Sequence, residues 1–250
     1  IGARFESAKT LKATFYTPSS PNSSRDTISI YLNDKYSITQ KLDMTAGLRY
    51  DDYSDFGDSF SPTLGLVYRA TDRIRLKALY SQSYRAPSWI ELSSNPNLQA
   101  EKSNSFETGI IFKQNHSNTL RINSYMIQIE DLITQPVGAY VQNSENDFYG
   151  AELEYIYIPN NQLEFNLFAS YIIAEDEDGE TLANVANTLS STSLTYESNS
   201  GVTFGSLLKY VSTSQRESTD ATRDDMPSSV IFDETISYAY KAFSANLIIK

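Results

Sequence analysis

Cysteine is missing from all 250 residues, which removes disulfides, zinc–thiolate centres and thiol nucleophiles and leaves the redox compartment open. Histidine occurs once, as His116, between Asn115 and Ser117 in a segment that reads as a tight turn. No serine sits in a nucleophile elbow, so a Ser-His-Asp triad finds no support. Glycine is scarce at 10, and none of it forms a phosphate-cradling loop. Basic residues are outnumbered, 20 against 31 acidic, and a net charge of -11 argues against a nucleic-acid partner. No apolar run approaches the roughly 18 residues of a membrane helix, a test that β-barrels escape because each strand shows lipid only every second residue. Nor does a secretory leader open the chain. Ile1-Gly2-Ala3-Arg4-Phe5 already reads as strand, and Ala245-Asn246-Leu247-Ile248-Ile249-Lys250 stops inside one, so an internal piece of a longer mature protein is expected.

What the chain has in abundance is aromatics of the β-forming kind, with 18 Tyr and 12 Phe against one Trp. From Leu42 the even positions read Leu42, Met44, Ala46, Leu48 and Tyr50, while Asp43, Thr45, Gly47, Arg49 and Asp51 fall between them. This period of two gives an extended strand one apolar and one polar face. Thirteen such strands are expected, near 3–16, 25–38, 40–52, 58–70, 72–85, 104–114, 118–133, 140–158, 162–175, 187–197, 200–213, 228–240 and 242–250, with no persistent helical period. Tight connections (38–41, 70–72, 115–118, 159–161, 198–200, 240–241) alternate strictly with longer polar ones (17–24, 51–58, 86–103, 134–140, 176–186, 214–227). On the apolar parity Tyr50, Tyr80, Tyr171 and Tyr210 precede long loops, and Tyr68, Phe112, Tyr157 and Tyr196 precede tight turns. Two aromatic belts at two levels predict an all-β antiparallel meander that forms part of a transmembrane β-barrel, with short turns on the periplasmic side. A soluble sandwich would share the alternation, but not strand length combined with alternating loop length.

The opposite parity carries Arg49, Arg75, Lys77, Glu107, Lys113, Arg121, Asn123, Glu152, Glu154, Glu164 and Asn166, as a wet lumen requires. Two strands break the pattern. In 118–133 the polar residues pass from odd to even positions, and in 228–240 Phe232, Asp233 and Glu234 do not sort. A bulge in each would restore parity. The acidic run Glu175–Glu180, with Asp176, Asp178 and Glu180 as candidate ligands, and the loop holding Asp51, Asp52, Asp55 and Asp58, offer hard oxygen donors for Ca²⁺ without EF-hand spacing. A solvated loop is the reading preferred for both over a cation site.

Between Tyr80 and Gly109 stand Arg85-Ala86-Pro87-Ser88-Trp89, Asn95-Pro96-Asn97-Leu98, Glu101-Lys102-Ser103 and Glu107-Thr108-Gly109, followed later by Gly150-Ala151-Glu152 and Asn246-Leu247. In this order the segments resemble the TonB-dependent outer-membrane receptors. The resemblance implies a 22-stranded barrel of which this chain covers about strands nine to twenty-one. The family's N-terminal plug, its TonB box and its closing strand lie outside the sequence. It also implies a bacterial outer-membrane location among lipid and lipopolysaccharide, and energy from the TonB complex through the plug. The expected cargo is a scarce metal chelate or vitamin, with a ferric siderophore foremost and haem or cobalamin as alternatives. No enzymatic activity and no catalytic residue are expected. Chemical roles for the motif remain two-sided. Pro87 ends its strand by withholding a donor, Pro96 between two asparagines makes a turn, and Gly109 leaves room beside Glu107. Arg85, Trp89, Asn95 and Asn97 are the loop candidates for ligand contact, although Trp89 is equally suited to shielding the loop base. A passive channel or adhesin barrel is the rival reading, and a soluble all-β binder a further one.

Overall fold

The computed structural model describes residues 1–9, 24–137, 139–216, 222–241 and 243–249. Its elements are β1 (Gly2–Lys9), β2 (Ser24–Ser37), β3 (Leu42–Tyr53), β4 (Gly57–Arg69), β5 (Ile74–Arg85), α1 (Trp89–Ser94), β6 (Glu101–Lys113), β7 (Asn118–Val137), β8 (Ala139–Asn160), β9 (Leu163–Asp176), β10 (Thr188–Glu197), β11 (Val202–Val211), β12 (Ser229–Tyr240) and β13 (Phe243–Ile249). The thirteen strands make one sheet in sequence order, each antiparallel to its neighbours. The parts of the first strand and of the connections near 17–24, 134–140 and 214–227 that fall on 10–23, 138 and 217–221 lie outside the described residues, as do Ala242 and Lys250.

The two faces sort as the period of two requires. Register places Leu64, Tyr80, Phe106, Met126, Tyr149 and Ile173 side by side across six strands on the outer face. Among the described residues no second layer covers that face: Leu48 and Ile110 keep 47% and 45% of their surface exposed. Leu153 lies directly between Ile122 and Ala169 in the same stripe. A continuous apolar band of this extent is stable against hydrocarbon, not water. Its rims are aromatic, with Tyr50, Tyr80, Tyr171 and Tyr210 toward the long-loop end and Tyr68 and Tyr196 toward the short-turn end.

Four expectations need correction. The segment 51–58 is no long loop, because β3 and β4 run on until only residues 54–56 turn the chain. Likewise β7 runs on to Val137 over 20 residues and β8 starts at Ala139 over 22, where a loop over 134–140 was expected. Strict alternation therefore fails at two hairpins, whose polar residues continue as strand beyond the aromatic belt. The bulge in β7 comes later than parity suggested. Pairing is unbroken through Ile129, and the irregularity starts there, next to Asp131 at φ 58°. Gln128 and Glu130 thus stay on the outer face, above the belt. Lastly, β12 has no bulge: its register with β11 is continuous from Val202–Tyr238 to Val211–Ser229. Glu234 consequently stands on the outer face between Phe232 and Ile236, with Ser206 donating to it at 3.0 Å.

One further local feature is Pro62. It cannot donate to a ladder, and the pairing of β4 with β5 stops next to it, at Thr63–Ser81, while β4 stays paired with β3 up to Gly57.

Candidate functional site

Every fully buried side chain among the described residues lies toward the long-loop end, where residues 86–100 pack against the wall. Leu98 is 2% exposed there and Pro87 less, and Ala100 and Ile133 are buried with them. The short helix α1 interrupts this loop because Ser88 and Glu91 form a capping box. Ser88 Oγ accepts from the Glu91 amide at 3.3 Å, and the Glu91 carboxylate accepts from the Ser88 amide at 2.6 Å. No helix was expected, yet the Ser-x-x-Glu spacing was present in the sequence as its signal.

Arg85, at the end of β5, binds both flanks of the loop. Its guanidinium donates to Glu101 at 2.6 Å and to both Glu91 oxygens at 3.2 Å. Glu101 Oε1 in addition accepts from the Ile133 amide at 2.8 Å, fixing the start of β6 to β7. Burial disfavours a charge on Glu91, but hydrogen bonds from Arg85 and Ser88 outweigh it and hold its carboxyl below the usual range. On the far side of the loop, Asn95 Nδ2 donates to the Tyr140 carbonyl at 3.0 Å, while its Oδ1 accepts from the Asn97 amide. Gln99 and Gln142 exchange two hydrogen bonds.

The other half of the mouth comes from β2 and β3. Arg25 pairs with Asp55 at 2.8 Å, donates to the Pro87 carbonyl at 2.7 Å and lies 4.9 Å from the Phe56 ring centre. Arg49 makes two bonds to Asp51, whose buried carboxylate also accepts from Ser29. The hydroxyls of Tyr53 and Tyr84 meet at 2.5 Å. Between this wall and the loop opens a cavity of about 440 Å³ bordered by Arg25, Arg49, Tyr53 and Trp89. The Trp89 indole nitrogen is buried with no hydrogen-bond partner among the described residues.

The motif residues divide accordingly. Arg85, Ala86, Pro87, Trp89, Asn95, Pro96, Asn97, Leu98 and Glu101 meet in the mouth. Lys102 lies outside it near Asp131, and Ser103 continues the β6 ladder opposite Ser83. Of the four ligand candidates, Arg85 and Asn95 spend their side-chain polar groups on the loop and the adjoining wall, Asn97 is bonded through its backbone amide, and Trp89 borders open space. Gly109 and Gly150 sit halfway down the wall. A Cβ at Gly109 would collide with the Lys77 side chain, and one at Gly150 with the Tyr125 ring. Glu107 and Glu152 flank Tyr125 in a lumenal cavity of about 330 Å³. Asp176 spends its Oδ1 on the amides of Asp178 and Glu180, closing a turn. Among the described residues no three His, Cys, Asp or Glu side chains converge as a metal would require. Sequence reasoning did not single out Arg25, Phe56 or Tyr84, because nothing local says that distant loops meet, nor Glu91, whose one local signal was its spacing from Ser88.

Comparison with known proteins agrees with this geometry. The family model described as TonB dependent receptor-like, beta-barrel matches residues 2–249. Curated relatives include a probable TonB-dependent siderophore receptor, PirA, of Acinetobacter baumannii, 33% identical over 75 residues (28% of this chain, 10% of that protein). A vitamin B12 transporter, BtuB, of Vibrio vulnificus is 30% identical over 86 residues (34% and 14%). The crystal structure of PirA from Acinetobacter baumannii superposes with a TM-score of 0.80 at 16% identity, over 90% of this chain and 41% of that one. A ferric enterobactin receptor variant from Pseudomonas aeruginosa (PfeA), in complex with enterobactin, gives 0.81 at 17%, over 89% and 39%. The chain thus spans about two-fifths of the length of these solved receptors. A single-layered wall, belted outside, polar inside and roofed by the Arg85–Glu101 loop, together with a family match from end to end, means that the chain belongs to the TonB-dependent receptor β-barrel family.

Proposed function

We propose that this chain is the wall and mouth of an outer-membrane receptor that captures a ferric siderophore and takes it up with energy from the TonB complex. The observation that carries the reading is the loop of residues 86–100, which is packed into the mouth by buried contacts instead of lying open as in a passive pore. Four relatives named for siderophores or ferric enterobactin, against two named as vitamin B12 transporters, favour an iron chelate over the vitamin. Trp89 and Tyr53 beside two guanidinium groups supply flat faces and donor edges suited to a chelate with aromatic rings. In this orientation the long-loop mouth faces the medium among lipopolysaccharide, and the short turns face the periplasm. The full-length receptor should bind ferric enterobactin and import radiolabelled iron only in cells with TonB. Import of cyanocobalamin alone would reassign the cargo. Steady ion conductance in a planar bilayer without TonB would replace the receptor by a channel.

A further inference from the structure

The outer wall from β9 to β13 carries a polar patch at mid-height. Register and alternation turn Thr192 of β10, Ser206 of β11 and Glu234 of β12 outward, among Leu208, Phe232 and Ile236. Glu234 lies four residues from Tyr238, near the turn after β12, or about 13 Å along the strand. At that depth a carboxylate meets hydrocarbon instead of water. Ser206 donates to its Oε1 at 3.0 Å, whereas Oε2 is buried with no hydrogen-bond partner among the described residues. An acceptor left in this way costs free energy until a donor reaches it. Among the described residues no outward position of β9 to β13 is a lysine or arginine, so hydroxyls are the donors of this face. The Thr192 hydroxyl is one of them, and it too has no partner among the described residues. Thr192 lies four residues from Tyr196, near the turn after β10, so it stands at the height of Glu234, two strands and about 10 Å away across β11.

We propose that this patch is the contact between two copies of the chain, side by side in the membrane about a two-fold axis over Leu208. Both copies insert the same way up, so the axis relating them runs along the membrane normal. Such an axis sets each residue against one of equal height on the other side of the axis. Leu208 of β11, which is exposed, then meets its own copy. Glu234 of each copy meets Thr192 of the other, whose hydroxyl donates to the carboxylate. Rotation about the last side-chain torsion, which is soft, turns Oε2 to receive that bond. The patch is thus complementary to itself, and this identifies the partner. Apolar burial does not hold two barrels together, because lipid is as apolar as leucine, whereas polar groups that hydrocarbon leaves unmet do. An acyl chain offers no donor at this depth, so a bound lipid does not answer the carboxylate. The inference takes from the receptor reading only the bilayer, not the cargo.

Thiol cross-linking in outer-membrane vesicles tests it on the full-length protein. Two differently tagged copies are co-expressed, one with Thr192→Cys and the other with Glu234→Cys, and treated with a short, membrane-permeant bis-thiosulfonate linker. In this mixed pair one Glu234–Thr192 contact stays intact while the other is replaced by the two thiols. The linker should join position 192 of the first copy to position 234 of the second, in preference to 192–192 or 234–234 pairs. Adding Glu234→Leu to the first copy removes the remaining contact and should lower the yield about five-fold, the size of one hydrogen bond in a membrane. An unchanged heat-dependent gel mobility shows that the barrel itself is intact. Absence of the 192–234 link overturns the inference, as does a yield that Glu234→Leu leaves unchanged. Links to a different protein alone overturn it too. Iron import enters none of these readouts, so either result leaves the uptake reading as it stands.

Discussion

The two ends of this wall treat charge in opposite ways. At the long-loop mouth each guanidinium is closed into a network: Arg25 with Asp55, Arg49 with Asp51 and Ser29, Arg85 with Glu91 and Glu101. At the short-turn rim Arg75 and Lys113 have no partner among the described residues, and Arg69 opposes a like charge. The difference follows from what each end has to build. A barrel wall has no core of its own, so the mouth, where loops fold inward, is where side chains become buried and must be matched. The rim buries little, so its charges stay solvated and need no such matching. The mouth is a closed network; the rim is an open one.

That contrast can be broken by mutation, starting at the mouth. Leu98→Ala should be the most damaging change, costing about 3 kcal/mol of local stability by opening a cavity beneath the loop. Faster proteolysis between residues 86 and 100 would reveal it. Arg85→Ala comes next at about 2 kcal/mol, below the cost of breaking a fully buried pair because the guanidinium is half exposed. Trp89, the one tryptophan of the chain, should then show red-shifted fluorescence. Acid should do the same more gently. The Glu91 carboxyl is held lower in the fold than in the unfolded chain, so its contribution is complete above about pH 4.3. It is lost as pH falls below that, through the lowered native value, and a fluorescence titration of Trp89 reads the change. On the outer wall the sign reverses: Glu234→Leu replaces a carboxylate in the apolar band and should raise the melting temperature, by about 1 kcal/mol of stabilisation. The smallest effect belongs to the rim. Arg75→Gln should leave thermal stability within about 0.5 kcal/mol, since no described group is bonded to that side chain. A loss as large as that of Arg85→Ala would erase the distinction between the two ends.

How legible each end was follows from the range of the forces involved. Strand identity and facing could be read from runs such as Leu42–Tyr50, because alternation is a property of neighbouring residues and the bilayer enforces it. Where the environment stops enforcing it the reading failed: Gln128 and Glu130 lie above the belt, where an outward polar side chain costs nothing. Glu234 misled in another way, its carboxylate tolerated because Ser206 is directly across the ladder. The mouth was legible as a motif but not as a geometry. Arg85, Pro87 and Glu101 stood out, whereas the partners that fix them, Arg25 against Pro87 and the Ile133 amide against Glu101, come from 62 and 32 residues away. The capping box at Ser88 and Glu91 was local, but the helix it opens was not read, because one turn and a half is too short to show a period.

Pro62 leaves a gap in the lateral stitching of the wall. Above it the hairpin of β3 and β4 is fastened to β2 alone, and its side toward β5 is bridged by the Tyr53–Tyr84 hydroxyl contact instead of by backbone. That hairpin is free to lean sideways without tearing a ladder, and it carries Asp55 and Phe56, the partners of Arg25. Any tilt there is passed through Arg25 to the Pro87 carbonyl and so to the base of the roof. Amide protons on the open seam of β4 should be the first in the wall to exchange with solvent deuterium.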